Sequence, residues 1–68
     1  MKLEWKDGFT VHVRVVRNQV VISANREGLL SLQQQLAALA GETPGSHIHY
    51  DDSNSLEEGS VQLIIEKE

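Results

Sequence analysis

The 68-residue chain has no cysteine and a single proline. Without cysteine, no disulfide can staple the fold and no thiolate can hold a zinc ion. A small core must therefore work by packing alone. It does so against an ordering cost of roughly 100 kcal/mol, at ~1.5 kcal/mol per residue. No apolar run approaches the ~18 residues that a membrane span needs. Met1-Lys2-Leu3-Glu4-Trp5-Lys6 also lacks the apolar centre of a signal peptide. Basic residues are scarce, 6 Lys and Arg against 10 Asp and Glu, for a net charge of -4. A binder of nucleic-acid phosphates would show clustered Lys and Arg, so neither a nucleic acid nor a membrane is expected as partner. The acidic balance serves solubility and also suits a basic partner surface. The absence of cysteine is compatible with a reducing compartment, and the expected location is the cytoplasm.

Catalytic patterns are absent too. There is no G-x-S-x-G elbow, phosphate loop or dinucleotide glycine pattern. Glu57 and Glu58 are adjacent, so they diverge instead of converging as an acid–base pair. The reading is a protein that is not an enzyme and needs no cofactor.

What is present is alternation. Leu3 and Trp5 alternate with Lys2, Glu4 and Lys6, and Asp7-Gly8 supplies a hairpin turn. Phe9, Val11, Val13 and Val15 then alternate with Thr10, His12, Arg14 and Val16. Arg17-Asn18 predicts the next turn, and Val20, Ile22 and Ala24 form a third alternating set. The period then changes. Leu29, Leu32, Leu36 and Leu39 recur at three- and four-residue spacing, which predicts an amphipathic helix with that stripe buried. Asn25 is placed to cap its start, Gly41 to end it, and Pro44 to prevent its resumption. Ile48 and Tyr50 alternate with His47 and His49, and Val61, Leu63 and Ile65 with Gln62, Ile64 and Glu66.

The expected fold is therefore α+β, a single domain over residues 1–68 with element order βββαββ. It has a mostly antiparallel five-stranded sheet with one amphipathic helix packed on one face. The expected lateral order is third, second, first, fifth, fourth, which places the apolar last strand near the middle.

The stretch from His47 to Ser60 concentrates titratable and turn-forming residues. Ser55-Leu56-Glu57-Glu58 has the form of a helix-capping box, and Asp51, Asp52, Ser53 and Asn54 are residues that bond local backbone in tight connections. His47, His49 and Asp51 fall on one line of a strand, a weak metal pattern at best. No metal site is assigned. Two surfaces stand out as partner-binding candidates. Asp51, Asp52, Glu57 and Glu58 offer an acidic patch for a basic protein surface. The sheet face away from the helix carries His47, His49 and Ile64, with His12, Arg14, Val16 and Val21. Its aliphatic members allow self-association as a homodimer, the alternative reading.

ISANREGLLSL, residues 22–32, and GSHIHYDDSNSLEEGSVQLIIEK, residues 45–67, resemble bacterial immunity proteins of polymorphic-toxin systems, specifically their family thirty-two. N-R-E-G-L-L and N-S-L-E-E-G-S are the most specific parts. The resemblance implies a small α+β protein whose partner is a cognate toxin, neutralised by direct binding.

Overall fold

A computed structural model describes residues 2–68. Its elements are β1 (Val11–Val16), β2 (Gln19–Ala24), α1 (Arg26–Ala40), β3 (His47–Tyr50) and β4 (Leu63–Glu66). The α+β class holds, but there is no single five-stranded sheet. β1 pairs antiparallel with β2, and β3 pairs antiparallel with β4, as two separate two-stranded sheets. Among the described residues no helix is long and apolar enough to cross a membrane.

The missing strand is the first. Leu3 and Trp5 are half-buried and Lys2, Glu4 and Lys6 exposed, as the alternation predicts. The Asp7-Gly8 turn forms too, with the Phe9 amide donating to the Lys6 carbonyl at 3.2 Å. The main chain of this arm is bonded by α1, however. The Lys6 amide donates to Ser31 Oγ at 2.9 Å, and Gln35 Nε2 donates to the Glu4 carbonyl at 2.9 Å. Helix side chains thus do the work of a neighbouring strand.

This bonding also corrects the expected face of the helix. The buried residues of α1 are Gly28, Ser31, Gln35 and Leu39, while Leu29 and Leu36 are 55% and 40% exposed. Gln35 is buried because it has two partners to satisfy. It bonds Glu4 and also accepts from the Tyr50 hydroxyl at 2.8 Å. A buried amide with both ends bonded costs little, whereas an unpartnered one costs ~1–3 kcal/mol. Gly28 sits at the closest approach of helix and hairpin. A Cβ there would collide with the Thr10 carbonyl oxygen and lie 3.0 Å from Val11 Cγ2.

Asn25 ties three parts together. Its Oδ1 accepts from the Gly28 amide at 2.8 Å, as a helix cap should, and also from the Thr10 amide at 3.0 Å. Its Nδ2 donates to the Gly8 carbonyl at 2.8 Å. Helix start, hairpin base and first turn are thereby locked in one register. At the other end, Gly41 closes the helix with its N–H donating to the Ala38 carbonyl, and Lys67 Nζ donates to the Ala40 carbonyl at 2.7 Å. That cation faces the negative end of the helix dipole.

The core consists of Val11, Val13, Leu39, Ile48, Tyr50 and Leu56, with Leu3, Trp5, Phe9, Leu32, Leu63 and Ile65 packed around it. Trp5 stacks on Phe9 with ring centroids 4.2 Å apart and meets Tyr50 edge-on at 6.1 Å. The expected inner row of the first hairpin is only half realised, since Val11 and Val13 are buried but Val15 is not. The lateral order is also corrected. The segment after Leu56 reaches β1 directly, where Leu3–Trp5 was expected. The Glu57 amide donates to Val11 at 2.8 Å, the Val61 amide donates to Val13 at 2.9 Å, and Ser60 Oγ accepts from Val13 at 3.1 Å.

Candidate partner-binding site

The β3–β4 pair sets one face of the candidate surface. Its burial alternates so that Ile48 and Tyr50 point into the core while His47 and His49 are exposed. His49 lies opposite Ile64, and His47 opposite Glu66. Residues directly opposite share a face, so His47, His49, Ile64 and Glu66 lie together on the outside. Ile64 is among the most exposed large apolar residues. His49 Nε2 lies 3.3 Å from Gln62 Oε1, which fits an imidazole N–H donating to the amide oxygen. Glu66 is an outer-face carboxylate that sequence reasoning left out of the surface. It emerges only from the register, which alternation alone does not specify.

The connection between β3 and β4 is built around Asp51. Its Oδ1 accepts from Ser53 Oγ at 2.8 Å, from the Ser53 amide at 3.0 Å and from the Asn54 amide at 3.0 Å. Its carbonyl accepts from the Ser55 amide at 3.1 Å and the Leu56 amide at 2.8 Å. The capping box expected at Ser55 does not form. The Ser55 hydroxyl turns to Asn54 Oδ1, and the chain makes turns instead of a helical start. Asp51 wins because its bonds leave Leu56 free to enter the core, where it is buried. Gly59, at φ 87°, then turns the chain back toward β4 in a conformation that glycine adopts freely.

These bonds also shift the titration of Asp51. The Ser53 hydroxyl above all, then the Ser53 and Asn54 amides and the nearby His49, hold its carboxyl below the ordinary aspartate range. The carboxylate is committed to the loop. Asp52, Glu57 and Glu58 are exposed and carry the loop's outward charge. Among the described residues no group of three or more His, Cys, Asp or Glu side chains is placed to share a metal ion. The line of His47, His49 and Asp51 is therefore not assembled into one.

A family model described as Immunity protein 32 matches residues 19–68. No curated protein and no solved structure matches the chain.

Proposed function

Because the chain belongs to the Immunity protein 32 family, we propose that it neutralises a cognate toxin by direct, non-catalytic binding in the cytoplasm. The proposed contact surface is the β3–β4 connection and the adjoining outer face. Asp52, Glu57 and Glu58 meet a basic region of the toxin. His47, His49 and Ile64 flank them, with Ile64 as the apolar anchor. Asp51 acts through the loop it holds, not by touching the partner.

The observation that carries this reading is the pre-ordering of an acidic loop. Three exposed carboxylates ride on a connection fixed by Asp51 at one end and by Leu56 and Glu57 against the core and β1 at the other. A loop already in its bound shape loses little freedom on docking, and like-signed charges at its surface speed encounter with a basic partner.

The test is binding of the chain to a candidate toxin domain taken from the genes that flank its own, by calorimetry and stopped flow. Reversing charge with Asp52→Lys and Glu57→Lys together is expected to slow association about tenfold or more and flatten its salt dependence. Unchanged affinity and salt dependence would refute the assignment of this surface.

A further inference from the structure

We propose that β2 pairs antiparallel with β2 of a second copy of this chain, about a twofold axis at Ile22. The starting point is the Arg17-Asn18 turn, where both residues are left-handed, at φ 51° and 66°. A two-residue turn of that type makes Val16 and Gln19 a pair that exchanges both main-chain bonds. Bonded pairs then alternate along the ladder, at Arg14 with Val21 and at His12 with Ser23. The intervening residues turn their amides and carbonyls outward. On β1 these are Val11, Val13 and Val15, and on β2 they are Val20, Ile22 and Ala24.

The two edges are treated differently. On β1, Glu57, Ser60 and Val61 take up the outward groups of Val11 and Val13. On β2, β1 is the one strand neighbour, and among the described residues no turn, loop or cap bond reaches Val20, Ile22 or Ala24. Edge strands are commonly guarded by a charge, a proline or a bulge. Gln19-Val20-Val21-Ile22-Ser23-Ala24 has none of these along its ladder. The free edge of β3 is less open, being two residues shorter, with the Asn54 side-chain Nδ2 3.5 Å from the His49 carbonyl.

A second copy fits this edge because the strand is its own complement. With the axis at Ile22, Ile22 faces its equivalent and Val20 faces Ala24, so all three outward-turned residues of each copy are bonded. No like charges meet, since β2 holds no charged residue. The same register gives the uncovered apolar residues of each copy a neighbour on the other. Val15, Val20 and Ile22 are 56%, 61% and 42% exposed, and Val15 lies opposite Val20 on one face. Ile22 of the two copies meet at the axis, and the Val15–Val20 row of each copy runs on into Ala24 and Val11 at the covered base of the other. Arg14 stays clear of them on the other face, bonded to Ser23 Oγ at 2.7 Å. The acidic connection lies beyond β1, away from β2, so each copy keeps its loop free.

Sedimentation equilibrium from dilute to millimolar concentration tests the pairing. The expected result is a reversible dimer, weakened at least tenfold by Val20→Lys and unaffected by Ile64→Lys. Because the chain has no cysteine, oxidised Ile22→Cys is expected to form a covalent dimer where Ile64→Cys does not. Circular dichroism confirms that each variant stays folded. A monomer at every concentration would overturn the proposal, as would a dimer indifferent to Val20→Lys or equal cross-linking through position 64. A monomeric chain whose Val20→Lys variant loses the candidate toxin domain would give the edge to an extended toxin segment instead. The acidic-loop test above is scored separately, by salt dependence.

Discussion

The two hairpins of this protein are built from similar residues and finished differently. The β3–β4 hairpin sends its inner side chains to the core, shows histidines and one isoleucine outside, and has a connection held by the bonds that Asp51 accepts from Ser53, Asn54, Ser55 and Leu56. The β1–β2 hairpin buries Val11 and Val13 at its base and leaves Val15, Val20 and Ile22 uncovered toward its tip. One helix of 15 residues roofs the base of the first hairpin and has nothing left for its tip. Depth in the core, not residue type, decides what each valine contributes.

The contrast is greatest between two valines on the same face of the first hairpin. Val13→Ala leaves a cavity in a fully buried site and is expected to cost about 2–3 kcal/mol in urea unfolding. Val20→Ala, at an exposed position, is expected to stay within about 0.5 kcal/mol for the monomer. Equal costs would mean that the hairpin tip is covered in solution. Gly28→Ala tests the junction below. Alanine ordinarily favours a helix by ~1 kcal/mol over glycine, but the Thr10 main-chain oxygen cannot yield to a new Cβ. A net loss of about 1–3 kcal/mol is expected.

Tyr50→Phe removes the hydroxyl that reaches Gln35 and is expected to cost about 1–2 kcal/mol. Burial raises the Tyr50 pKa. Its contribution is therefore present below the ordinary tyrosine value of about 10 and is lost as pH rises through the folded value. The wild type should lose stability in that alkaline range more steeply than Tyr50→Phe. The smallest effect belongs to the second hairpin's loop. Asp51 is held below its ordinary pKa, so its contribution is present above about pH 4 and is lost as pH falls through the folded value. Asp51→Asn should flatten the acid limb of the stability curve, read by denaturant unfolding at stepped pH. An unchanged limb would mean that the carboxylate is not the keystone of the connection.

Much of this division was legible in the residues. Period-two alternation located the four strands but also marked Leu3–Trp5 as a fifth, Asn25 and Gly41 bounded the helix, and the outward aim of His47 and His49 followed from Ile48 and Tyr50. The helix face was not legible. Leucine spacing points to Leu29 and Leu36, but Ser31 and Gln35 are needed inside because the Lys6 amide, the Glu4 carbonyl and the Tyr50 hydroxyl require partners. Such a demand comes from tertiary neighbours and leaves no periodic trace. The loop posed a similar contest. Asp51 and Ser55 both had capping chemistry, and the burial of Leu56 settled it. The bare β2 edge did leave a signal, a six-residue strand without one charge, which alternation reads only as a strand.

Hydrogen exchange on the chain, with and without the candidate toxin domain, tests the functional division most directly. Protection is predicted to grow across residues 51–60 and the β3–β4 outer face, with β2 unchanged by the toxin. New protection confined to β2, with 51–60 exchanging as before, would contradict it.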